Sequence, residues 1–119
     1  MKPHRFGKPV YARGSTKPGE MNQTEAKYAQ YLELLRLDGE ILWWKYEAIK
    51  FRLAPKTFLM TDFLVMKADG LLECHEVKGH MEDDAAVKLK VAADIYPFRF
   101  LLITVRPKRE GGGWVTKEI

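Results

Sequence analysis

The chain has 119 residues, 46% hydrophobic and 30% charged, which suits one folded domain and excludes wholesale disorder. A single cysteine, Cys74, excludes an intrachain disulfide and a cysteine-rich zinc site, and no apolar run approaches the roughly 20 residues that span a bilayer. The net charge of +4 is unevenly placed: five cations and no acid in residues 1–19, four cations against two acids in 104–119, and a middle left at −3.

Residues 1–20 contain Pro3, Gly7, Pro9, Gly14, Pro18 and Gly19 with no period of 2 or 3.6. This predicts an extended basic arm, with residues 21–119 as a single domain. Arg13 and Lys17 on the arm are expected to contact a polyanion. With no signal-type hydrophobic region, the expectation is a soluble, cytoplasmic protein that does not contact membrane.

A helix is expected from about Asn22 to Leu37, stopped by Gly39, with Tyr28, Ala29, Leu32 and Leu35 as its apolar stripe. Ile41-Leu42-Trp43-Trp44 then leads into a first strand through Ala48–Leu53, where Ile49, Phe51 and Leu53 alternate with Lys50 and Arg52. At most one of Trp43 and Trp44 can face the core; the other is left to stack on a base or to serve a dimer interface. Ala54-Pro55-Lys56 reads as a turn and Thr57–Met66 as a second strand. Ala68-Asp69-Gly70 is a hairpin signal leading to a third strand, Leu71–Lys78.

Gly79 breaks that strand, and Asp83 or Asp84 is expected to cap a helix through Ile95. Its inner face is expected to include Val87, Leu89, part of Lys90, Val91 and Ile95. Pro97 ends it, Phe98–Val105 reads as a well-covered strand, and Trp114–Ile119 as a short edge strand. The order α-βββ-α-β(-β) describes an α/β sandwich.

The chemistry gathers on the second and third strands. Side chains alternate faces along a strand, so Glu76 and Lys78 share a face. A hairpin centred near residue 69 places Asp62 almost opposite Glu76–Val77. Two carboxylates can hold a hard cation such as Mg²⁺, and a lysine beside them can orient water or neutralise phosphate. The competing reading is a surface ion pair between Asp62 and Lys78, which is common and weak. Glu25 lies at the edge of the first helix's apolar stripe and can face the same place. Asn22-Gln23-Thr24-Glu25 equally fits a capping box. Strand parity turns His75 away from Glu76, so a structural or exposed position is expected for it, not a catalytic one, and Cys74 reads as a small core residue.

These residues carry a family resemblance. The run from Thr24 to Thr104 resembles the PD-(D/E)XK nuclease superfamily: Asp62 stands at its first acid position, Glu76-Val77-Lys78 matches its acid-x-lysine element, and Glu25 matches the glutamate often supplied by the first helix. Met60-Thr61 replaces the proline that names the motif. More closely, Thr24–Tyr28, Leu34-Leu35, Gly39-Glu40-Ile41, Thr61-Asp62-Phe63 and Glu76–Gly79 are similar to short phage-encoded nuclease-like proteins linked to Holliday-junction resolvase or endonuclease roles.

The resemblance implies a restriction-endonuclease-like α-β-β-β-α-β core, a central mixed sheet flanked by helices. It implies an Mg²⁺- or Mn²⁺-dependent DNA endonuclease acting on branched or junction DNA in recombination or genome processing, in the host cytoplasm if phage-encoded. Asp62, Glu76, the Val77 carbonyl and Glu25 would hold metal, and Lys78 would act on water and phosphate. Products would carry a 5′-phosphate and a 3′-hydroxyl. Lys88 and Lys90 on the second helix either contact phosphate from above the site or form a solvated face, His80 is placed to touch DNA, and paired incisions imply a homodimer. The alternatives are a nicking or single-strand nuclease, or a DNA-binding or packaging accessory that keeps the fold without turnover.

Overall fold

The computed structural model describes residues 19–79 and 83–119. Arg13, Lys17 and His80 lie outside the described residues, as do the side chains of Asp83 and Asp84 on which the second helix's cap was expected.

Helix α1, Gln23–Leu37, begins and ends where its sequence provides partners for its orphan backbone groups. At its start Asn22 Oδ1 accepts from Glu25 N–H (2.8 Å) and Glu25 Oε1 accepts from Asn22 N–H (2.9 Å), a reciprocal capping box. At its end Gly39 takes the left-handed region (φ 81°). Gly39 N–H bonds Arg36 C=O and Glu40 N–H bonds Leu35 C=O, the Schellman pattern. Between them Tyr28, Ala29 and Leu32 are buried and Leu35 is half-buried, as the stripe predicts.

Seven strands follow: β1 Ile41–Tyr46, β2 Lys50–Ala54, β3 Thr57–Met60, β4 Phe63–Lys67, β5 Leu72–Lys78, β6 Arg99–Val105 and β7 Trp114–Glu118, with helix α2, Asp83–Ile95, between β5 and β6. Five form one mixed sheet in the order β1-β4-β5-β6-β7. Only β5 and β6 run parallel, joined by the α2 crossover that parallel strands require. β2 and β3 pair separately as a two-stranded sheet.

This corrects two expectations. The expected Thr57–Met66 strand is two strands in different sheets, broken at Thr61-Asp62. The Ile41–Trp44 lead-in is an edge strand of the main sheet, not the start of the Ala48–Leu53 strand. With the β2–β3 hairpin set aside, the main-sheet order is α-βββ-α-ββ.

The sheet buries both faces. On one, Phe63, Val65, Val77, Leu101 and Ile103 pack under Tyr28, Ala29 and Leu32 of α1. On the other, Leu64, Cys74, Phe100 and Leu102 pack under Leu89 and Ala92 of α2 together with Phe51 and Leu59 of the hairpin. Here the α2 expectation holds for Leu89, which is fully buried, and fails for Val87, Val91 and Ile95, which point to solvent at 59%, 40% and 52% exposure. The sheet accepts Leu89 and Ala92 because an alanine lets the helix approach closely, and so the bulkier stripe is turned outward. Trp44 is half-buried against the α1-side core and donates Nε1–H to Glu33 (2.9 Å), whereas Trp43 is 40% exposed.

Candidate active site

The β4–β5 hairpin turns through Ala68-Asp69-Gly70, with Gly70 at φ 90° and Asp69 Oδ1 accepting from Leu71 N–H. Its register pairs Met66 with Leu72, Val65 with Glu73, Leu64 with Cys74 and Phe63 with His75. Carried one step further, that register sets Asp62 opposite Glu76, as the sequence predicts. The backbone ladder stops there, and side chains take over from it.

Asp62 is fixed at three points. Its N–H donates to Glu76 Oε1 (3.2 Å), its C=O accepts from Glu47 N–H (2.8 Å), and its Oδ2 accepts from Val77 N–H (2.8 Å). The Asp62 carboxylate therefore occupies the place of a strand carbonyl and closes the gap where β4 leaves β5. In an extended strand a residue's N–H and C=O point to the same edge, so the Val77 carbonyl faces that gap too.

Glu76 projects from the α2 face of β5, with Oε2 3.3 Å from Lys78 Nζ. The lysine therefore pairs with the acid two residues before it, across one pleat. Glu25 reaches the cluster from the start of α1. It is buried, its Oε1 accepts from Tyr46 O–H (2.9 Å) as well as Asn22 N–H, and its carboxyl lies within hydrogen-bonding reach of Asp62. The capping box and the inward-facing carboxylate are thus one residue doing both.

Burial of three acids at one gap has an electrostatic cost. Burial, then the neighbouring Glu76 charge, holds the Asp62 carboxyl well above the usual carboxylate range, against the opposing pull of the Val77 N–H. Glu76 is also raised, by burial first, with Lys78 drawing it back. A cation at the gap would relieve this strain. Among the described residues, however, no three His, Cys, Asp or Glu side chains converge as a metal cage. The oxygen donors at the gap are the Asp62 and Glu76 carboxylates and the Val77 carbonyl, the residues that would hold a hard cation there. Glu25 Oε1 accepts two hydrogen bonds, from Tyr46 O–H and Asn22 N–H, and its carboxyl stands beside that of Asp62.

The other expected contacts divide. Lys88 and Lys90 are exposed on α2, and Lys88 Nζ donates to the Phe58 carbonyl (3.3 Å) on the hairpin. His75 faces α1, where its Nδ1 lies 2.7 Å from Tyr28 Oη and its Nε2 2.9 Å from Glu73 Oε1. Glu73 Oε2 accepts from Arg99 (2.6 Å), and Arg99 also holds Glu118. Sequence reasoning did not find this buried network, although Glu73 and His75, two apart on one strand, must share a face. No helix among the described residues is long and apolar enough to cross a membrane. No family model, no curated protein and no solved structure matches the chain.

Proposed function

We propose that the protein is a metal-dependent DNA endonuclease with a restriction-endonuclease-like fold, hydrolysing phosphodiester bonds at the gap between Asp62 and Glu76. The observation that carries the reading is the buried pair of acids, Asp62 and Glu76, with Lys78 3.3 Å from the second acid. A fold gains nothing in stability from forcing two carboxylates together, so their juxtaposition argues for a cation and an anionic substrate. Mg²⁺ or Mn²⁺, when bound, would polarise the phosphate and lower the pKa of water.

The chain's own groups do the rest. Asp62 and Glu76 present hard oxygen donors from a fixed corner, and the Val77 carbonyl adds a third. Glu25 tunes the charge on Asp62. Lys78 orients the attacking water and stabilises charge on the phosphate in the transition state. Water oxygen bonds to phosphorus as the bond to the 3′ oxygen breaks. The leaving oxygen takes a proton, and the products are a 5′-phosphate and a 3′-hydroxyl. Branched or junction DNA is the substrate class proposed, with a second copy of the chain making the paired incision.

A second reading is a DNA-binding protein of this fold without turnover. Cleavage of labelled four-way junction, linear duplex and single-stranded DNA in Mg²⁺, Mn²⁺ or EDTA decides between them. Metal-dependent cutting that disappears in Asp62→Asn supports the endonuclease. DNA binding without cutting, unaltered by that substitution, supports the second reading.

A further inference from the structure

The β2–β3 hairpin stands apart from the main sheet and runs directly into Asp62. Residues 48–61 contain Lys50, Arg52 and Lys56 and no acid. The register, Lys50 opposite Met60 and Arg52 opposite Phe58, puts these four side chains on one face, while Phe51 and Leu59 are buried beneath α2. All four are exposed, Phe58 at 40% and Met60 at 41%. Lys50 Nζ stands 4.7 Å from the centre of the Phe58 ring, and Lys88 reaches the Phe58 carbonyl from α2.

Lys56 adds an independent observation. At the hairpin tip, after Pro55, it adopts φ 59°, the left-handed region that glycine enters most cheaply. A lysine held there keeps a positive charge at the tip at the expense of backbone strain.

We infer that the outer face of this hairpin is a binding surface for an unpaired nucleic-acid strand, with Phe58 stacking on a base and Lys50, Arg52 and Lys56 lying along the phosphates. Exposed aromatic and apolar groups interleaved with cations are the chemistry of single-strand recognition, because every base has a face to stack and every linkage a charge to neutralise. The chain passes from Met60 to Asp62 in two residues, so a strand lying on the hairpin leads to the carboxylate gap. The choice of nucleic acid among polyanions rests on the endonuclease reading.

The test is fluorescence anisotropy of a labelled single-stranded oligonucleotide with the full chain in EDTA, where turnover cannot occur. Phe58→Ala weakens binding by roughly 5- to 100-fold. Each of Lys50→Ala, Arg52→Ala and Lys56→Gly lowers the slope of log affinity against log salt by about 0.7. Lys56→Gly also raises the melting temperature, since glycine relieves the strain, which separates lost contact from lost fold. Lys27→Ala, on the opposite helix, is the control and leaves affinity unchanged.

Unaltered single-strand affinity in Phe58→Ala and Lys56→Gly overturns the inference. So does a loss in Phe58→Ala that is equal for blunt duplex, which would remove stacking as the cause. Failure of the endonuclease reading looks different: wild-type protein that binds the oligonucleotide through the hairpin and cuts nothing in Mg²⁺.

Discussion

Asp62→Asn separates what this corner does for the fold from what it does for chemistry. Asparagine keeps an oxygen to accept the Val77 N–H now donated to Oδ2 at 2.8 Å. It exchanges a charge-assisted bond for a neutral one, a loss of about 1 kcal/mol. Against that, it removes one negative charge from beside Glu76 and Glu25. Burial opposes the ionised Asp62 first and the Glu76 charge second, and neighbouring carboxylates at an effective dielectric of ~20 repel by a few kcal/mol, part of which Lys78 already offsets.

The balance is a gain of about 1–2 kcal/mol at pH 8, or a melting temperature higher by roughly 3–8 °C. The sign depends on pH. Asp62 is raised in the folded state, so its contribution is fully present below the ordinary carboxylate pKa and is lost as pH climbs through the raised value. Wild type therefore loses stability relative to the variant between pH 5 and pH 8, and the variant's advantage shrinks or reverses at pH 5. Urea unfolding in EDTA at both pH values measures this. A variant destabilised by 1 kcal/mol or more at pH 8, or an advantage equal at both pH values, would refute the claim that this corner is electrostatically strained.

Mg²⁺ titrated at pH 8 should raise the melting temperature of wild type and leave Asp62→Asn nearly unmoved, by preferential binding to the folded state; equal shifts in both would place the ion elsewhere. Lys78→Ala should abolish cleavage and cost about 1–3 kcal/mol in stability, since it takes the cation from buried Glu76; full activity would remove Lys78 from the mechanism. Tyr28→Phe deprives buried His75 of a partner at 2.7 Å and should cost about 1–3 kcal/mol in urea unfolding with cleavage retained. Leu32→Ala, fully buried on the sheet-facing side of α1, should cost about 2–5 kcal/mol; a loss below 1 would mean the α1-side core collapses around the cavity.

What the sequence made legible was local. The hairpin signal at Asp69-Gly70 and the two-residue period of β5 placed Asp62 against Glu76 without any structure, and the caps of α1 could be read residue by residue. The break at Thr61-Asp62 could not. The apolar run Phe58–Val65 continues across it with no glycine or proline, and the corner is held by hydrogen bonds from Glu47 and Val77, far away in sequence. The α2 face was misread for a related reason. Periodicity favours the bulkier Val87-Val91-Ile95 stripe, whereas close approach to the sheet favours Leu89 with Ala92. The fold therefore placed Glu76 and Lys78 as expected while building the hairpin beside them from residues that read as core strands.

The bond from the Val77 amide to the Asp62 carboxylate gives the protein an internal probe of its own site. An amide proton shared with a carboxylate shifts in frequency when that carboxylate gains a proton or a cation. The Cys74 amide, in the paired part of the same strand, serves as a reference. A ¹⁵N spectrum recorded against pH or metal would read the state of the gap from the backbone alone, with no substrate, no label on a side chain and no mutation.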